Sequence, residues 1–308
     1  MSNVCDDIAA MHTLSKGASL RNGACRSEQW LWQLTRIHSR LHAWVKDRSG
    51  LRIKGVGILL RRLKFDRIFE ARGFRWFFDH RIATTYWRLI GGSYSEPETI
   101  SLLTFVADQV EEPVILVDVG ANIGEMVVAM AGRPTVARVI AFEPHPICVD
   151  VCNRNLALNG LRADVRSLLV ADGTAQPYVI DPNYAPTSGI QPKGADTGLT
   201  PTVRLDDELA VSAACILLID VEGAELAVMK GGQSFIRQQR PLIIFEYTSL
   251  LQRHSFTLSD VSRVLGAGYG LFRLRQDGRL DRQLDDTWNC VAVHEESIFM
   301  PICRQRIN

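Results

Sequence analysis

The chain has 308 residues, 46% of them apolar and 22% charged, which is enough apolar chain for one large packed core or two modest ones and places it in the soluble globular class. No stretch approaches the ~18 consecutive apolar residues of a membrane span. The formal charge of +1 hides an asymmetry: residues 1–95 hold 17 Lys and Arg against 7 Asp and Glu, about +10, and the remainder holds 18 against 27, about −9. Such a split fits a basic face for phosphate-rich partners or lipid headgroups, or a solvated helical surface.

The first 30 residues lack the basic-then-apolar order of a secretory signal, so a cytoplasmic location is expected. The seven cysteines, 5, 25, 148, 152, 215, 290 and 303, show no paired spacing and read as free thiols of a reducing compartment. Cys148 and Cys152 stand four apart on an expected helix and read as small buried hydrophobes, since no second Cys or His pair accompanies them.

Residues 1–27 are polar and aperiodic and are expected to fray. From Trp30 the pattern becomes helical, with Trp30, Leu34, Ile37, Leu41 and Val45 at spacings of three and four. A basic amphipathic piece, "VGILLRRLKFDRIFEARGFRWFF" at 56–78, follows. Segment 28–95 therefore reads as a helical extension ahead of a second unit, 96–308. Piece 56–78 is expected to pack as a helix over the carboxyl edge of a sheet, with peripheral membrane contact as the alternative. The turn-rich "GGSYSEPE" at 91–98 closes the extension, and a helix from Glu98 to about Val110 leads out of it.

Beyond that point strands and helices alternate, the pattern of a mostly parallel sheet covered on both faces. Strands are expected at 114–119, 138–142, 164–169, 215–220, 241–246, 269–274 and 288–293, with helices at 123–132, 145–158, 224–237 and 257–266. Segment 181–201, with four prolines and three glycines, reads as a long irregular insertion.

The first strand runs into "VDVGANIGE", a two-glycine turn that lacks the third glycine of a dinucleotide-binding loop. Asp118 stands just before it, where it would repel a pyrophosphate and attract a cation such as an ammonium, so an amino-acid-bearing nucleoside suits the site better than NAD. Glu143 ends the second strand 19 residues after Gly124, the place of a carboxylate that accepts ribose hydroxyls; its other reading is an acid charging a helix start. The pattern returns in "ILLIDVEGAELAVMKGG", where Asp220 and Glu222 follow a strand.

These segments, with "VIAFEPHP", "NLALNGL", "RLDDEL" and "PLIIFEY", stand in the order and spacing of the FkbM family of S-adenosylmethionine-dependent methyltransferases, and the resemblance covers about 91–248. It implies a class I methyltransferase fold, α/β and Rossmann-like, with seven strands in the order 3-2-1-4-5-7-6 and the last antiparallel. It implies S-adenosylmethionine as cofactor, with Asp118, Gly120, Asn122 and Gly124 along its methionine part, Glu143 and Pro144 at the ribose, Asp172 near the adenine and Glu222 beside them. It also implies methylation of hydroxyls on sugars or secondary metabolites, a small-molecule or glycan acceptor.

Losing the acceptor's proton calls for a base, and Asp220 and Glu246, at the ends of neighbouring strands, are the candidates. Glu222, His145 and His254 are weaker ones, and no metal is expected among these acids. Three other functions compete. A cofactor-binding protein without turnover would be expected to lose the acids at 118, 143 and 220. An NAD-linked oxidoreductase conflicts with Asp118. A nucleic-acid methyltransferase would use the basic N-terminal half, but no aromatic-basic platform accompanies it.

Overall fold

The computed structural model describes residues 26–49, 59–60, 62–176, 178–179, 189–190, 200–247, 256–284 and 289–308. The expectations for residues 1–25, for most of 181–201 and for His254 lie outside these. The described chain opens with helix α1 (Arg26–Ser49), strands β1 (Arg67–Ala71) and β2 (Phe74–Phe78), a 3-10 turn over His80–Tyr86, and helices α2 (Trp87–Gly91) and α3 (Pro97–Gln109). There follow β3 (Val114–Val119), α4 (Glu125–Ala131), β4 (Val136–Phe142), α5 (Pro146–Leu158), β5 (Asp164–Arg166), the short pair β6 (Tyr178–Val179) and β7 (Gly189–Ile190), and α6 (Leu205–Glu208). The chain continues through β8 (Cys215–Ile219), α7 (Glu225–Gly231), α8 (Gln233–Gln239), β9 (Leu242–Glu246), α9 (Leu258–Leu265), β10 (Tyr269–Leu274), β11 (Leu280–Asp281), β12 (Asn289–His294) and α10 (Phe299–Arg304).

The central sheet has eight strands in the order β11-β10-β12-β9-β8-β3-β4-β5. Strands β5, β4, β3, β8 and β9 pair in parallel, and β12 enters antiparallel between β9 and β10. The short β11 adds an edge strand beyond the seven expected.

Parity along the strands divides the core. Leu116, Ile216, Leu218, Leu242, Ile244, Val291 and Val293 pack in one apolar layer with residues of α3, α4, α5 and α10. Val117, Val119, Leu217, Ile219, Ile243, Phe245 and Ala292 pack in the other with α7, α8 and α9. Both faces being covered, the strands read as unbroken apolar runs, which is why they stood out in the sequence.

Residues 56–78 do not form one helix. Residues 67–78 are an antiparallel hairpin, with Arg67 opposite Phe78 and Ala71 opposite Phe74. Its turn is Arg72-Gly73, both at positive φ (55° and 83°), as a two-residue hairpin turn of this hand requires. The helical extension expected over 28–95 is thus a long helix, a hairpin and a short helical run, and the amphipathic helix at 56–78 is corrected by the hairpin.

The hairpin is fastened to the core by two asparagines, Asn155 in α5 and Asn159 at its C-cap. The Asn155 side chain accepts from the Phe77 amide at 2.7 Å and donates to the Ile123 carbonyl at 2.9 Å. Asn159 accepts from the Arg75 amide at 2.9 Å and donates to its carbonyl at 2.8 Å. Trp76, Phe78 and Tyr86, all fully buried, complete the joint.

Candidate active site

In a sheet of this order the crevice lies outside the carboxyl ends of the parallel strands, where the connections diverge. A cavity of about 220 Å³ opens there, between the ends of β3, β8 and β9 and the residues just ahead of α3. Its lining includes Asp118, Gly120, Asn122, Asp220, Glu222 and Glu246, brought together because β3, β8 and β9 are neighbours with aligned ends.

The two turns are built against each other. The Asp220 amide donates to the Val119 carbonyl at 2.9 Å, and a Cβ at position 120 would overlap the Asp220 carbonyl oxygen, so only glycine fits there. At Gly124, φ is +83° and an added Cβ would lie 2.5 Å from Cys152 Sγ. Asn122 and Glu222 take the left-handed conformation in equivalent places of the two turns, with φ of 49° and 55°. Backbone strain of this kind concentrates at ligand sites.

Asp118 is 2% exposed, and its Oδ2 atom is buried with no hydrogen-bond partner. Burial, reinforced by Glu96 and Glu143, pushes its carboxyl up to about 8. A buried carboxylate left this way favours a bound cationic group. Thr85 Oγ1, also in the lining, is likewise buried and without a hydrogen bond.

Asp220 is driven well above the carboxylate range by burial and by Glu96, Glu246 and Glu222 around it. Six carboxylates, Glu96, Asp118, Glu125, Asp220, Glu222 and Glu246, face this cavity together with Arg88.

Four of the expected cofactor residues stand back from the lining. Gly124 supports the turn from behind. Glu143 accepts from the Asn122 amide at 2.8 Å and the His145 amide at 2.7 Å, and burial lifts its carboxyl to about 7. It therefore fixes the glycine turn and the start of α5, so the helix-start reading describes part of its role. Pro144 is half-buried between Glu143 and His145. Asp172 accepts from the Thr174 hydroxyl at 2.6 Å and amide at 3.1 Å, closing a local turn away from the cavity.

Several lining residues were not read from the sequence. Ser95 is held by Glu125, the first residue of α4, whose carboxylate accepts from the Ser95 amide at 2.8 Å and hydroxyl at 2.9 Å. Next to it, Glu96 accepts from Thr99 at 2.8 Å and from Asn289 of β12 at 2.9 Å. Thr85, Trp87 and Arg88 descend from the upstream segment. The only sequence signal was the compact "GGSYSEPE", in which Gly92 ends α2 and Pro97 starts α3.

A sheet in this order, with Asp118 and a glycine turn at the end of β3 and acids at the ends of β8 and β9, is the arrangement expected of the class I methyltransferase fold. Residues 118–269 match the family model described as the methyltransferase FkbM domain. The chain is 31% identical to the methyltransferase sdnD of Sordaria araneosa, over 38% of this chain and 59% of that one, so the match spans less than two thirds of that relative. It is 27% identical to the hexuronic acid methyltransferase AglP of Haloferax volcanii, over 63% of this chain and 74% of that one. The crystal structure of methyltransferase FkbM from Methylobacillus flagellatus shares 19% identity and a TM-score of 0.40, over 59% of this chain and 44% of that one.

Proposed function

We propose that this protein transfers the methyl group of S-adenosylmethionine to a hydroxyl of a sugar or secondary-metabolite acceptor. The observation that carries the reading is the acidic crevice at the carboxyl ends of β3, β8 and β9, with the unpartnered Asp118 oxygen inside it. When bound, the cofactor supplies an activated methyl on a cationic sulfur together with an ammonium.

The residues present suit that group. Asp118 offers a buried acceptor to the ammonium, the backbone of Gly120–Asn122 lets a ligand approach, and Glu143 holds that loop in place. Because Asp118 stands just before the two-glycine turn, a pyrophosphate-bearing dinucleotide would meet repulsion there.

The chain's remaining task is to take a proton from the acceptor and to keep water out. Asp220 is the base in this reading. Its raised proton affinity brings it nearer to the alcohol it must deprotonate, and Glu246 at the end of the adjacent strand shares the negative charge. An acceptor that is itself a carboxylate would meet six acids in the lining, which favours a neutral hydroxyl acceptor.

The test is mass spectrometry of products formed from candidate acceptors with isotopically labelled methyl donor, run beside Asp220→Asn. Labelled methyl ethers are expected, and the variant should lose about 10²- to 10⁴-fold in kcat with cofactor affinity little changed. Tighter binding of NAD than of S-adenosylhomocysteine in calorimetry would sink the assignment.

A further inference from the structure

We propose that α1 docks this protein on an anionic membrane surface, through the outward stripe Trp30, Leu34, Ile37, Leu41 and Trp44. The helix is laid down inside out. Its buried side carries Trp32 and the small polar residues Thr35 and Ser39, and the Thr35 hydroxyl is satisfied by the Leu31 carbonyl at 2.8 Å. Ser39 lies close enough to Gly91 that a Cβ there would stand 3.8 Å from the Ser39 carbonyl, so two helix backbones meet with little between them.

At ~100° per residue the apolar stripe lies on the side opposite Thr35 and Ser39. Trp30 is 66% exposed, Ile37 62% and Trp44 57%, with Leu34 and Leu41 between them also exposed. Scattered exposed apolar residues are ordinary; five in register on one helix are a binding face.

The spacing of four, three, four and three is also that of a coiled-coil seam, so a second copy of the chain is the rival occupant. The flanks decide against it. Arg36 and Arg40 are exposed beside the stripe, and Arg48 occupies the next seam position, its guanidinium 4.5 Å from the Trp44 ring centre. A parallel second helix would set cation against cation there, whereas anionic headgroups would be attracted. The seam spans two heptads, short of the ~3 to 4 that coiled coils sustain. Indoles at both ends suit the boundary between headgroups and acyl chains, where an amphipathic helix lies in the plane of the surface.

Docking would act on the catalytic cavity directly. The ring centres of His42 on α1 and Trp87 in the cavity lining are 4.7 Å apart, so the helix that meets the lipid also supports the cavity wall.

The experiment is cosedimentation of the full chain with phosphatidylcholine vesicles, with and without phosphatidylglycerol, while tryptophan emission is followed. The protein is expected to pellet with the anionic vesicles, with blue-shifted emission, and to be released by salt. Ile37→Glu/Leu41→Glu should weaken binding about tenfold or more, and Arg36→Glu/Arg40→Glu should abolish the preference for anionic lipid. All four positions are exposed, and unchanged thermal unfolding checks that each variant is folded. The proposal is overturned if the wild type stays in solution, or if Ile37→Glu/Leu41→Glu binds as the wild type does. A wild-type dimer in sedimentation velocity that this variant converts to monomer, without vesicle binding in either, would overturn it in favour of a second copy.

Discussion

On the proposed reading, in which Asp118 receives the cofactor's ammonium, this residue sets the pH behaviour of the site. Its carboxyl, held near 8 by burial and by Glu96 and Glu143, is protonated in the cofactor-free protein through much of the neutral range. Receiving a cation requires the carboxylate, so below pH 8 binding must release a proton. Cofactor affinity is therefore expected to rise with pH, by up to about tenfold per unit, and to level off above 8. Stability of the free protein runs the opposite way. An acid whose folded affinity for protons is raised contributes stability below its ordinary range, near 4, and loses that contribution as pH climbs through about 8. Calorimetry in buffers of different ionisation enthalpy checks the proton release, and Asp118→Asn should flatten both profiles.

The acids at 118, 220 and 246 were legible because each follows an apolar run that could only be a buried strand, and strand ends in such sheets face the crevice. Glu143 was legible as a position and only half legible as a role, since its two amide partners come from another turn and from its own helix start. Thr85, Arg88 and Glu96 were out of reach. They precede the first sheet strand in the chain, and tertiary packing alone brings them to the cavity.

Among the elements, five of the seven expected strands match within a residue at each end, β4 starts two residues earlier, β5 ends three residues earlier at Arg166, and the hairpin was missed. In "RIFEARGFRWFF" apolar residues fall on both parities, because β2 presents Trp76 and Phe78 to the core while Phe77 is half-buried. The alternation that marks a strand was blurred, and neighbouring cations imitated a helical face. The Arg-Gly turn was the available clue.

The same element supplies a test. Asn155 is fully buried and exchanges hydrogen bonds with Phe77 of the hairpin and Ile123 of the glycine turn, so it couples the extension to that turn. Asn155→Leu strands a part-buried amide and a buried carbonyl and should cost about 2 to 4 kcal/mol of stability. Denaturant unfolding reads the loss. Half-buried Asn159, bonded to Arg75 and to the Asn155 carbonyl, should cost less when changed to Ala, about 1 kcal/mol.

At the scale of the molecule, the part before residue 91 is a wall of the site rather than an appendage. Trp87, Arg88 and Thr85 line the cavity, and Phe78, Tyr86 and Leu89 are buried in the layer shared with α3 to α5. Deleting residues 1–90 is expected to remove the cooperative thermal transition along with turnover, because it bares that layer. Deleting residues 1–25 should leave cofactor affinity within about twofold, since every cavity residue named lies at or beyond 85. Retained cofactor binding with unaltered acceptor kinetics in the longer deletion would show that the extension does not shape the site.

The contact between Gly124 and Cys152 gives the protein a built-in stopwatch. The thiol is wholly shielded, burial raises its pKa to about 12, and the glycine turn sits on its sulfur with no room for one more carbon. An alkylating reagent is expected to reach Cys152 when that turn lifts away, so the rate at which this one peptide gains mass should report how often the loop opens. Saturating S-adenosylhomocysteine should slow the reaction at Cys152 strongly, while Cys303, buried at the far end of the chain in α10, keeps a pace set by wider unfolding. Equal slowing at both thiols would mean that the loop never moves by itself and that ligand entry waits on the opening of the whole domain.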